Sequence, residues 1–221
     1  MSSKVSAWHY SVSDLCQVLA LLLKTPTIEL TAAMTDGAFF DDLIDILEEL
    51  ALDEPQTMSA LKKARSHCAA QGSHELLHEL RKEYTRMFIR TSQEPKVDIY
   101  EAPFVARRKN AASLPLMFIN PEAIELSAIY QQIGIVRDTQ FNYSEDHLSF
   151  EFAFLSKIHQ LSGLAGEQRS DLESLLKEFH KKHFDRWAGE FFSVCEEVGK
   201  NDLYRFFWRL GYDFSKTLMI A

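Results

Sequence analysis

From Ser13 to Phe214 nearly every segment repeats its apolar residues at helical spacing, and no run of strict alternation interrupts them. A chain patterned this way can cover its core only by packing helix on helix, so the expected fold is all-α with about nine or ten helices. Leu15, Val18, Leu19 and Leu22 mark a first helix over Ser13–Lys24, stopped by Pro26. Helices follow over Thr27–Gly37, Phe39–Leu50, Pro55–Gln71 and Ser73–Ile89, the last with a stripe of Leu77, Leu80, Tyr84, Met87 and Phe88. Asn120-Pro121 opens a helix ending at Gly134, because asparagine caps well and proline suits the first helical position. Further stripes run over Ser144–Ser162, Leu172–Phe179, Trp187–Val198 and Leu203–Phe214.

The period fails only between Thr91 and Pro121, a stretch holding Pro95, Pro103, Pro115 and the basic run Arg107-Arg108-Lys109. An irregular connection of that length is uncommon inside a domain and often carries function. It divides the chain into an N-terminal helical part, 1–115, and a C-terminal part, 116–221, expected to pack as one unit. Such a joint also permits exchange of parts between chains, so a monomer or a domain-swapped dimer is compatible with it.

A net charge of −8 argues against nucleic acid, whose binding needs a basic face, and favours a cationic partner. The longest strongly apolar run, Val18–Leu23, is far too short for an integral membrane segment. No secretory signal pattern opens the chain, and Cys16, Cys68 and Cys195 lack paired spacing. Buried free thiols in a cytoplasmic protein are expected.

The segment Ser144-Glu145-Asp146-His147-Leu148-Ser149-Phe150-Glu151-Phe152 gathers three carboxylates and a histidine beside the apolar series Leu148, Phe152, Leu155, Ile158. Read as a helix capped by Ser144, it puts His147 and Glu151 on one face. The plain interpretation is a well-capped helix with a solvated His–Glu pair. The functional one is an acidic helix start that grips a cationic group attached to an apolar one. His147 would then serve either as a neutral hydrogen-bonding group or as the charged partner of Glu151.

His74-Glu75-Leu76-Leu77-His78 satisfies H-E-x-x-H, the pattern of a zinc metallopeptidase. Its face continues through Arg81, Lys82 and Thr85, however, opposite the apolar stripe, and a third ligand would have to come from Glu94 or Glu101 in the irregular segment. His180 and His183, beside Lys181 and Lys182, look like a solvated helix end, and the basic run at 107–109 like an exposed loop. No phosphate-binding glycine loop and no G-x-S-x-G elbow is present, so the chain is not expected to be an enzyme. A general helical interaction module is the remaining alternative.

Tyr84, Phe88 and Tyr100 are interleaved with Glu94, Asp98 and Glu101 just before and within the irregular segment, which suits a groove with apolar walls and an acidic rim. The ordered set Tyr84-x-x-Met87-Phe88-Ile89, Pro95, Tyr100-Glu101 and Asp146-His147-Leu148-x-x-Glu151-Phe152-x-Phe154-Leu155 resembles the TorD/DmsD branch of the redox-enzyme maturation chaperones. The resemblance implies a cytoplasmic chaperone without cofactor or bound metal. Its partner would be the twin-arginine leader and immature catalytic subunit of a molybdopterin-containing oxidoreductase, held back from export until its cofactor is inserted. It also implies that the family's leader-binding Asp-His pair falls on Asp146 and His147 and its aromatic and acidic loop positions on Phe88, Tyr100 and Glu101; with Tyr84 and Glu151 from the two clusters of acids and aromatics, these residues are expected to form or border one peptide-binding surface.

Overall fold

Capping side chains, prolines and glycines divide the chain close to where the sequence places its breaks. In the computed structural model, which describes residues 2–89, 97–110, 120–135, 143–164 and 169–220, the first five helices are α1 (Ser2–Leu22), α2 (Ile28–Asp36), α3 (Ala38–Glu49), α4 (Pro55–Ala69) and α5 (Ser73–Phe88). They are followed by α6 (Glu101–Arg108), α7 (Pro121–Gln131), α8 (Leu148–Leu164), α9 (Arg169–Lys182), a 3₁₀ turn (Phe184–Arg186), α10 (Ala188–Val198) and α11 (Asp202–Ile220). The architecture is all-α, and among the described residues extended pairing is confined to one isolated antiparallel bridge between Tyr100 and His147.

Local chemistry explains the boundaries. Thr27 accepts the Leu30 N–H at 3.3 Å to start α2, and Gly37, at φ +96°, takes the left-handed turn that ends α2 and begins α3. Asn120 accepts the Ala123 N–H at 2.7 Å, with Pro121 as the first residue of α7. In α5 the inner stripe starts at Leu76 rather than Leu77 and includes Glu83. His74, Glu75 and His78 stand on the opposite, exposed face. Among the described residues no group of three His, Cys, Asp or Glu is arranged to hold a metal, so the H-E-x-x-H pattern gains no third ligand there.

Helix α6 corrects the expectation of an irregular stretch over 91–121. Pro103 lies in its first turn, where a missing N–H costs nothing, so the proline that breaks the sequence pattern does not break the helix. Arg107 and Arg108 occupy its last turn, favoured by the helix dipole, and pair with Asp98 and Glu190; they are not loop residues. The expected stretches 91–96 and 111–119 lie outside the described residues.

Helix α1 lies antiparallel along α8, because its contacts climb one helix while descending the other. Ser6 Oγ donates to the Gly163 carbonyl (2.9 Å), the His9 and His159 Nδ1 atoms share a proton (3.0 Å), and Ser13 bonds Ser156 (3.0 Å). A helix from the N-terminal part is thus buried against one from the C-terminal part. Helices α10 and α11 form a second close pair, and Gly211 of α11 permits it: a Cβ there would meet the Phe192 ring at 2.5 Å. Gly211→Ala is expected to lose about 1–3 kcal/mol through overpacking, visible as a fall of several degrees in the thermal midpoint; an unchanged midpoint would mean that the pair can part at no cost.

Candidate functional site

The connection Val97–Tyr100 and the turn Tyr143–His147 meet where three helices begin. The Glu101 N–H donates to the Asp146 carbonyl (2.8 Å) and the Leu148 N–H to the Ile99 carbonyl (3.1 Å), completing the bridge between Tyr100 and His147. One carboxylate oxygen then ties the three starts together: Asp146 Oδ2 accepts from the Ala102 N–H in the first turn of α6 and from the Asn120 side-chain amide at the start of α7, each at 3.3 Å, while Asp146 itself leads into α8. An acid that meets one helix N-terminus and the capping residue of another is well placed against their dipoles.

Helix α8 begins at Leu148, four residues later than the sequence suggests, so Ser144 is not its cap. The His147 imidazole takes that role: its Nδ1 accepts the Ser149 N–H at 3.1 Å, which leaves the proton on Nε2. Tyr143 stacks on the ring (4.5 Å between centroids, 29°) and Tyr100 meets it edge-on (4.9 Å, 82°). Burial, with Lys24 nearby, drives the imidazole pKa down to about 3, so His147 is neutral and is not the charged partner of Glu151. The expected solvated His–Glu pair does not exist, because both side chains are fully buried.

Glu151 instead accepts from the Trp187 indole at 3.1 Å. Burial, then the nearby Glu101 charge, raises its carboxyl well above the usual range. Glu101 Oε2 accepts from His183 Nδ1 at 2.8 Å, and Arg186 lies 3.4 Å from Oε1. Asp146 is also raised by burial. Glu101 Oε1, Ser144 Oγ, Asp146 Oδ1, His147 Nε2, Glu151 Oε2 and His183 Nε2 are buried without a hydrogen-bond partner among the described residues. Such concentration of unmatched polar atoms is costly and marks a part of the interior not optimised for packing alone. What it can do chemically is hold protons and set the orientation of Tyr100 and Tyr143, the two half-buried rings in front of it.

Five of the seven expected site residues therefore come together: Tyr100, Glu101, Asp146, His147 and Glu151. Tyr84 only backs them: it is buried, bonds the Leu23 carbonyl (3.3 Å) and has Thr25, Tyr143 and Tyr100 among its neighbours, while Phe88 packs edge-on against Tyr84 from the core, stacking on Phe191 and meeting Trp208 edge-on. Asn120, Tyr143, His183, Arg186 and Trp187 belong to the cluster and were not expected there. His183 was legible: it continues the stripe of Leu172, Leu175, Leu176 and Phe179 one turn on, which places it inside rather than at a solvated end.

A family model described as the nitrate reductase delta subunit matches residues 47–193, which covers α4 to α9, the first part of α10 and the whole cluster except Lys24 at its margin. The chain belongs to that family. The delta-subunit family is one of redox-enzyme maturation chaperones, not of catalysts, and the TorD/DmsD resemblance carried by Tyr84–Ile89, Tyr100-Glu101 and Asp146–Leu155 stands with it. A crystal structure described as that of a redox enzyme maturation protein from Archaeoglobus fulgidus shares the fold, with a TM-score of 0.53 at 20% identity over 92% of this chain and 93% of that one. No curated protein matches the chain. Among the described residues no helix of this delta-subunit relative is long and apolar enough to cross a membrane.

Proposed function

We propose that this chain is a cytoplasmic chaperone that binds the twin-arginine leader of a molybdoenzyme's catalytic subunit, holds the immature subunit during cofactor insertion and delays its export. The observation that carries this reading is membership of the delta-subunit family across 47–193. The leader offers two guanidinium groups and an apolar run. Burial of that run, at roughly 25 cal/mol per Å², would supply most of the affinity, and acids the selectivity. The contact surface we assign is the face of Tyr100 and Tyr143, with Asp146, His147, Glu101 and Glu151 fixing those rings from beneath and Tyr84 and Phe88 supporting the wall behind.

The test is calorimetric titration of a client leader. Tyr100→Ala should weaken binding about 5–30-fold, the usual range for an aromatic contact at an interface, while circular dichroism stays that of the parent. Parent-like affinity in that variant would remove Tyr100 from the surface. A general interaction module would bind leaders with and without the arginine pair equally; a chaperone of this kind would separate them.

A further inference from the structure

Helices α1, α8, α9 and α11 surround a cavity of about 520 Å³ that the leader-binding surface does not use. His9, on its wall, and Leu22, the last residue of α1 before Thr25 and Tyr143, lie about 20 Å apart along the helix. Trp8, Leu176 and Leu218 make the walls apolar, with Val5, 40% exposed, at the edge. A hole of this size, with mostly apolar walls and a few polar groups, has the form of a small-molecule site. The polar part of its wall is an imidazole pair. His9 and His159 share a proton between their Nδ1 atoms at 3.0 Å, and Trp8 meets both rings edge-on, at 5.1 and 5.6 Å between centroids. His159 is 3% exposed, and its Nε2 is buried without a hydrogen-bond partner among the described residues. A ring nitrogen left so is costly, and the cavity that His159 lines has room for a partner. Charge at the mouth sorts the partners. Lys177 and Lys181, one turn apart on α9, are exposed and have no ion pair among the described residues. The acids beside them are occupied: Asp185 lies 2.7 Å from His180 Nδ1, and Glu173 is itself engaged.

We propose that this cavity binds a small amphipathic anion, a medium-chain monocarboxylate, with its chain against Trp8, Leu176 and Leu218 and its carboxylate between His159 Nε2 and the ammonium groups of Lys177 and Lys181. One proton lies between the two Nδ1 atoms, so with His9 as its donor His159 carries its own proton on Nε2 and presents an N–H to the cavity. Burial, then His9 and His180, holds the His159 ring neutral. The carboxylate therefore meets a neutral donor inside, and its charge is answered by the lysines at the mouth. A cation would be repelled by the two ammonium groups, and a neutral chain would leave them unanswered. A water on Nε2 would fill only a small part of the volume. The assignment does not rest on the leader-binding reading, because other residues form these walls.

The experiment titrates the full chain with decanoate, decanol and decyltrimethylammonium, all below their micellar range, by calorimetry and by thermal midpoint. Decanoate should bind, raise the midpoint and hold about tenfold more tightly than decanol, with the cation weakest, as two exposed charge pairs would give. Lys177→Gln with Lys181→Gln, two exposed positions, should weaken decanoate about tenfold and leave decanol unchanged, while circular dichroism stays that of the parent. In imidazole nitrogen NMR of the parent, decanoate should move the His159 Nε2 resonance. A folded parent that fails to bind decanoate, or that binds all three compounds alike, overturns the proposal. Parent-like decanoate affinity in the double variant, or an unmoved His159 resonance, overturns it too, since the anion would then sit elsewhere.

Discussion

Trp187→Ala is expected to be among the most damaging single changes in the chain. The indole is buried against Phe104 and Phe191, and truncating an aromatic in such a place costs about 3–5 kcal/mol. Its N–H is also the donor to Glu151, so removal adds about 1–3 kcal/mol for a buried oxygen left unmatched. Urea unfolding separates the two contributions, because Trp187→Phe keeps most of the ring packing and loses only the donor. The phenylalanine variant should fall between the parent and Trp187→Ala. Stability equal to the parent would mean that the bond to Glu151 contributes nothing, and that the carboxyl is held by packing alone.

Lowering the pH from 7 to 5 should remove about 4 kcal/mol of stability through two buried imidazoles. Burial, aided by Lys24 beside His147 and by His9 and His180 beside His159, holds both side chains down to about 3. In the unfolded chain each takes up a proton near 6.5. Their contribution is therefore complete above that pH and is lost as pH falls from about 6.5 toward 3, at up to about 1.4 kcal/mol per pH unit for each. Glu151 works from the other side. Its folded carboxyl is raised, so its contribution is whole below the ordinary carboxylate range and is lost as pH climbs through the folded value. The stability of the parent should pass through a maximum between these limits. His159→Gln should lose about 2 kcal/mol less than the parent between pH 7 and 5 in urea titrations; an identical loss would show that His159 does not titrate with unfolding.

The helices were legible because their signals are local. Thr27, Gly37, Asn120-Pro121 and Gly199 each act within a turn of their own position, and the α11 stripe of Leu203, Phe207, Leu210 and Phe214 needs only the helical period. Helix α6 was hidden by Pro103, whose position within the first turn cannot be judged until the helix start is known. At the site, the order of residues identified the right segments but not which way they face. An Asp-His pair ahead of an apolar helix looks like a solvated cap, and only Ile99–Tyr100, more than forty residues earlier, covers it. Phe88 and Tyr84 fail for the opposite reason: an aromatic on a helix stripe packs inward by default, and nothing in α5 turns it outward. Asp146 and His147, fully buried, hold structure as well as shape the face of the site, so replacing either by alanine is not the stability-neutral change a solvated helix start would allow.

The antiparallel seating of α1 on α8 has a consequence for the making of the protein. Helix α1 is complete once Leu22 has been added, yet its partner ends at Leu164. With chain growth at about 5–20 residues per second, the interval is on the order of ten seconds. Throughout it, His9 and Ser13, both buried in the finished molecule, have no α8 to lie against. The contact Ser6–Gly163 spans 157 positions and can form only after Gly163 has been added. The chain thus carries its first helix unsheltered until α8 is made, and the speed at which ribosomes reach α8 becomes a determinant of how much of it survives to fold.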